Sequence, residues 1–161
     1  EAVADMLGRV YTWDSKTALG DDEVEIPFFV NVEVDASKGS NVAEENKEKV
    51  RFSKLMLSNC GVKPENAVCM CARGDSMEPR LFNDDVVGVN TGCRRIVDGN
   101  TYAINHDGLL RIKRLYLLPG GGLKINSLNS SVYPDEILTS EQRKQVSVIG
   151  LLFWSSSIWK N

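Results

Sequence analysis

A single histidine, His106, is all the imidazole in this 161-residue chain. A Ser-His-Asp triad would have to be built around it. It stands in "NHDG", where Asp107-Gly108 is a hairpin-turn signal, and reads as a solvent-facing turn residue. Cysteine is sparse: Cys60, Cys69, Cys71 and Cys93 lack the paired spacing of a zinc site, so neither a metal nor a cofactor is expected. All four read as buried thiols of a reducing compartment. No apolar run approaches the ~20 residues of a membrane span, and no basic segment followed by an apolar one opens the chain as a secretion signal. The expectation is a cytoplasmic protein with no membrane partner. Excess positive charge is missing too. A net charge of −3, with no helix-turn-helix signature, argues against this chain gripping nucleic acid by itself. An initial Met is absent, and "EAVADML" reads as part of something longer.

What is present is ordinary for a globular domain, 42% hydrophobic and 25% charged. Residues 1–23 are polar and aperiodic and read as a linker. From Val24 the pattern alternates. "VEIPFFVNVEVD" predicts a strand, and Pro27 suggests that it lies at a sheet edge. "ASKGSNVAEENKEK" reads as a long loop or loose hairpin. "FSKLMLSNCG" predicts a short helix capped by Ser53 and ended before Gly61, with Leu55, Met56 and Leu57 facing the core. Strands are then expected over 66–73, 85–90, 101–105, 109–118 and 121–127, with "QVSVIGLLFWSSSIW" as the last. The predicted class is mostly β: a compact set of curved antiparallel sheets with one or two short helices.

One stretch raises a chemical question. "GDSMEP" (74–79) ends an alternating strand by presenting the hydroxyl of Ser76. A serine is a poor nucleophile until a base takes its proton. Asp75 is adjacent, but strand neighbours point to opposite faces. A lysine serves only when its amine is neutral, which burial in apolar surroundings favours. Lys113, in "LLRIKRLYLL", is the lysine inside an apolar strand. It shares a face with Arg111 and Leu115, while Ile112, Arg114 and Tyr116 share the other. Periodicity leaves open an exposed edge strand whose Lys and Arg reach for solvent.

"GDSMEPRL…DDVVGV", "GNTYAINHDGLLRIKRL", "INSLNSSVYPDE" and "VIGLLFW" occur in an order and spacing that resemble the C-terminal domain of LexA-like phage and prophage repressors, members of the S24 family of self-cleaving serine peptidases. The likeness runs from about Val24 to Trp154. It implies a LexA-like β fold and a Ser-Lys dyad: the Ser of the Ser-Met-x-Pro motif falls on Ser76 and the Lys of Lys-Arg-Leu on Lys113. The amides of Ser76 and Met77 are then the expected oxyanion donors. The resemblance further implies residues 24–161 as a regulatory, self-cleavage and dimerisation domain behind an N-terminal domain that binds operator DNA. Self-cleavage there is stimulated by RecA filaments.

Relatives typically cut at Ala-Gly, whereas the matching pair here is Ala36-Ser37. A Cβ at the second position removes the backbone freedom that brings the bond to the nucleophile, so self-cleavage is expected to be slow or lost. Release from DNA by an antirepressor protein is the alternative route to induction. Asp84 also stands where relatives usually have Gly. The apolar C-terminal segment, with Phe153, Trp154 and Trp159, is the expected contribution to a homodimer, which can pair into higher oligomers. A fully active RecA-stimulated self-peptidase is the competing reading, and a polymerase accessory subunit like UmuD a weaker one.

Overall fold

The computed structural model describes residues 18–31 and 44–156. Its elements are β1 (Glu23–Asn31), β2 (Glu44–Ser53), α1 (Lys54–Asn59), β3 (Ala67–Cys71), β4 (Val86–Asn90), β5 (Thr101–His106), β6 (Leu109–Leu117), β7 (Leu123–Asn126), β8 (Glu136–Leu138) and β9 (Val146–Ser156). Hydrogen bonds join the nine strands into one sheet in the order β2-β1-β3-β4-β9-β5-β6-β7-β8. Every pairing is antiparallel except β1 with β3, which run parallel over Phe28–Phe29 and Cys69–Met70. The mostly β class expected from the alternating segments is what the chain adopts.

Three apolar clusters fill the fold. Ile26, Phe52, Leu57, Val62, Ala67 and Cys69 pack under the β1–β2 hairpin and α1. Met70, Met77, Leu81, Val87, Val89, Ala103 and Ile112 form the centre, which therefore holds the turn after β3 by its apolar side chains. Tyr102, Ile104, Leu115, Leu123 and Ile125 line the far end of the sheet. β9 threads between β4 and β5, and its register shifts once against each. Such bulges bend the strand and increase its twist, which curves the sheet. Gly88 gives the Phe153 ring its room there, since a Cβ on Gly88 would lie 2.9 Å from Phe153 Cζ.

The helix begins as its sequence says: Ser53 Oγ accepts from the Met56 amide at 3.3 Å, and Gly61 follows at φ +70°. Its face is narrower than expected. Leu57 is fully buried and Met56 half-buried, but Leu55 is 69% exposed, because a six-residue helix on a sheet buries little more than one stripe.

Pro27 is a second correction. β1 is flanked by β2 and β3, so the edge strand is β2. Proline is accommodated because the β2 register shifts right after it, and the pairing with β3 starts only at Phe28. Of the segment read as a long loop or loose hairpin, residues 44–49 belong to strand Glu44–Ser53, which pairs antiparallel with β1.

The thiols divide as well. Cys69 is buried and its pKa is pushed up to about 12 by that burial. Cys71 is half-buried, whereas Cys60 and Cys93 are exposed. Among the described residues no His, Cys, Asp or Glu cluster could hold a metal, and no helix is long and apolar enough to cross a membrane.

Candidate active site

Ser76 stands in the turn that joins β3 to β4. The turn is tightly tied. Ala72 donates to the Asp85 carbonyl and Asp84 to the Ala72 carbonyl, both at 2.8 Å, and the Gly74 amide donates to Asn83 Oδ1 at 2.8 Å. Leu81 and Arg80 return to the Met77 carbonyl at 3.0 and 3.1 Å. With Met77 and Leu81 buried in the central cluster, the turn is anchored from below while Ser76 stays half-exposed. Gly74 at φ +80° and Asp84 at φ +70° make the two sharp bends. Asp84 thus occupies a backbone conformation that favours glycine, and its carboxylate pairs with Arg73 across the base of the turn. Neither the Ser76 nor the Met77 amide donates to another described residue. Two adjacent N–H groups beside a hydroxyl are the donors that a developing oxyanion needs.

Lys113 lies on β6, an interior strand flanked by β5 and β7, so the exposed-edge alternative does not apply. It sits directly opposite Tyr102 and shares a face with Leu115, which are 1% and 0% exposed; Lys113 itself is 5% exposed. Burial first, and then the positive charge of Arg111, pull its pKa down to about 8, while the Glu136 carboxylate works the other way. The amine donates to Ser127 Oγ at 2.7 Å and stands 5.6 Å from the centroid of the Tyr133 ring.

Arg111, two residues back on the same strand, is committed elsewhere. It forks onto Glu136 at 2.5 and 3.2 Å and meets His106 Nδ1 at 2.9 Å. That pairing holds the Glu136 carboxyl below its usual range. His106 is therefore half-buried in an ion-pair group at the end of β5 and not a free turn histidine.

The turn that bears Ser76 and the strand that bears Lys113 belong to separate parts of the sheet, and one segment touches both surroundings. Residues 127–135 connect β7 to β8. Ser127 holds the lysine; the Asn129 amide donates to the Ser76 carbonyl at 3.0 Å, and Asn129 Nδ2 donates to the Asp75 carbonyl at 3.2 Å. Tyr133 places its ring over Lys113 and donates its hydroxyl to the Asp75 carboxylate, which pushes the phenol pKa up. No hydrogen bond joins Ser76 to Lys113 themselves; the amine's bond goes to Ser127.

Sequence reasoning missed Ser127, Asn129 and Tyr133 as parts of this site. The signal was present, since "SLNSSVY" is a polar run entered directly from a buried strand. Beside Met77 runs a groove of about 550 Å³ lined by Arg80, Leu81, Arg114, Leu128, Leu152 and Trp154.

The remaining expected residues divide in two. Phe153 and Trp154 are half-buried against Phe52, with the Phe52–Trp154 centroids 4.9 Å apart and nearly perpendicular. Ala36, Ser37 and Trp159 lie outside the described residues.

A curved β domain with a serine-bearing turn and a buried lysine, both fastened to one polar segment, defines the class by its architecture. Comparison with known families makes that specific: the chain belongs to the Peptidase S24-like family, whose match covers residues 27–153. It is 42% identical over 156 residues to the HTH-type transcriptional regulator PrtR of Pseudomonas aeruginosa, covering 95% of this chain and 61% of that protein. It is also 42% identical over 152 residues to the Repressor protein CI of Enterobacteria phage phi80, covering 92% of this chain and 63% of that one. An uncharacterized HTH-type transcriptional regulator of Haemophilus influenzae is 27% identical over 99 residues. The chain thus spans about three-fifths of the length of the first two relatives.

Proposed function

We propose that this chain is the regulatory and oligomerising part of a cytoplasmic transcriptional repressor of the phage or prophage kind, carrying a Ser76-Lys113 dyad for cutting its own chain. The observation that carries the chemistry is Lys113, buried beside apolar neighbours with its pKa drawn down to about 8. At about pH 7.4 an amine with that value is neutral in roughly a fifth of molecules, against about a thousandth for an ordinary lysine, which makes it available as a general base. The repressor setting is supported by the two relatives whose names describe a transcriptional regulator and a repressor.

The chemistry follows from the residues. Neutral Lys113 Nζ takes the Ser76 proton as Oγ attacks the scissile carbonyl carbon, and the amine becomes an ammonium. The Ser76 and Met77 amides take the charge that grows on the carbonyl oxygen. The C–N bond then breaks, the ammonium returns its proton to the leaving amine, and water hydrolyses the ester left on Ser76. The substrate is the Ala36-Ser37 bond, and Ser37 makes the cut slow.

Operator binding then belongs to a preceding DNA-binding domain. Dimerisation of this one, with Phe153, Trp154 and Trp159 in the contact, makes the second DNA contact intramolecular and raises occupancy. A RecA filament, or an antirepressor where cleavage is blunted, is the partner that ends repression. The test is intact mass of the full-length protein incubated with RecA, an ATP analogue and single-stranded DNA. Fragments mapping to Ala36-Ser37, absent in Ser76→Ala, support the self-peptidase. An intact chain that leaves the operator only when a second protein binds it supports the antirepressor route.

A further inference from the structure

We propose that Ser127 is a positioning residue for the dyad: its hydroxyl fixes the direction of the Lys113 amine, so that the lone pair exposed on deprotonation is held for the proton of Ser76. This rests on the dyad reading above and adds the residue that aims its base.

Three observations carry it. The Lys113 Nζ to Ser127 Oγ bond is 2.7 Å, and the two residues are 5% and 3% exposed, so water does not compete for it. The other charged and titratable groups around the amine do not hold it. Arg111 is bound to Glu136 and His106, Glu136 to Arg111, and Tyr133 presents its ring and gives its hydroxyl to Asp75. Ser127 is thus the hydrogen-bond acceptor that sets the rotation of Nζ. It is also tied to the nucleophile, since Asn129, two residues on, binds the carbonyls of both Asp75 and Ser76. Ser127 is too buried for a peptide to reach, which leaves it a role through the lysine and not as a nucleophile.

An aimed lysine has a signature that a merely structural serine lacks. Ser127 Oγ accepts from the amine, and an acceptor favours the ammonium form. In Ser127→Ala the Lys113 titration should therefore move down in pH while cleavage becomes slower: a larger neutral fraction and a less effective base.

The experiment has two arms on the full-length protein. NMR of isotope-labelled lysine side chains follows the titration of Lys113 directly, whether or not the chain cuts itself. Self-cleavage is followed by intact mass against pH in a Ser37→Gly background. The expected result in Ser127→Ala is a lower Lys113 midpoint with a pH-independent cleavage rate reduced by up to about 100-fold, the lower end of a general acid–base contribution. Ser127→Thr, which keeps the hydroxyl, should restore both, and thermal melts of all variants establish that they fold. Should Ser127→Ala fail to fold, Ser127→Cys, of similar size but a weak acceptor, takes its place.

An unmoved midpoint, or cleavage as fast as the parent, overturns the proposal. If the Ser37→Gly parent does not cut at any pH, the dyad reading fails. The NMR arm still decides whether Ser127 governs the lysine.

Discussion

Lys113 ties stability to pH through one proton, the same proton that the proposed chemistry would use. Its folded pKa, about 8, lies below the ordinary lysine value of 10.5, so between those two pH values the unfolded chain binds a proton that the folded chain has shed. Stability must rise with pH across that window, and below it the full penalty of burying the ammonium is present. Lys113→Met carries no such penalty. Its stability relative to wild type, from urea unfolding, should fall by about 2 kcal/mol between about pH 7 and about pH 10, and a pH-independent difference would contradict the burial argument.

Asp84 makes a second residue-scale case. At φ +70° an Ala keeps the Cβ crowding and loses the Arg73 partner, whereas Gly removes the crowding. Asp84→Ala should destabilise by about 1 kcal/mol and Asp84→Gly by much less in the same measurement. The glycine expected at this place in relatives thus has a physical reason that the sequence pattern alone did not supply.

At the scale of elements, what the sequence made legible was local. Ser53 and Gly61 bracket α1 by cap chemistry, and Asp107 at φ +50° with Gly108 at φ +91° forms the β5–β6 turn read from "HDG". What escaped was set by neighbours distant in sequence. Period-two hydrophobicity in β2 is confined to Val50 and Phe52, because an edge strand carries charge where an interior one carries apolar residues. Pro27 reads as an edge because proline cannot donate, and only the bulge and the late start of the β3 pairing reconcile it with an interior strand. The candidate site divides the same way. Ser76 and Lys113 were singled out by the family resemblance, since periodicity left Lys113 open to an exposed edge strand; Ser127, Asn129 and Tyr133 meet their surroundings through contacts between segments far apart in sequence, of which the polar run alone gave a hint.

β9 offers an element-scale test. A Cβ on Gly150 would lie 2.3 Å from the Asn90 carbonyl oxygen, a backbone atom that cannot rotate away. Gly150→Ala should cost about 2–3 kcal/mol by urea unfolding, at the upper end of overpacking penalties, and a loss below about 0.5 kcal/mol would mean that β4 and β9 can slide apart.

At the scale of the whole molecule, one nine-stranded sheet carries both the Ser76 turn and the Lys113 strand. The central cluster anchors the Ser76 turn through Met77 and Leu81, the far cluster surrounds the lysine strand, and the 127–135 segment fastens one to the other. Under the proposed self-cleavage, positioning comes from the scaffold, and the rate is set by how easily the substrate bond bends into place. Ser37→Gly restores that freedom.

The central claim is therefore tested most directly by following self-cleavage of full-length Ser37→Gly by intact mass across pH, beside the same chain carrying Ser76→Ala or Lys113→Ala. The account predicts fragments that meet at residues 36 and 37, a rate that climbs about tenfold per pH unit and levels off above about pH 8, and no fragments in either control. Cleavage that survives Ser76→Ala or Lys113→Ala, or a Ser37→Gly chain that stays whole at every pH, would contradict it.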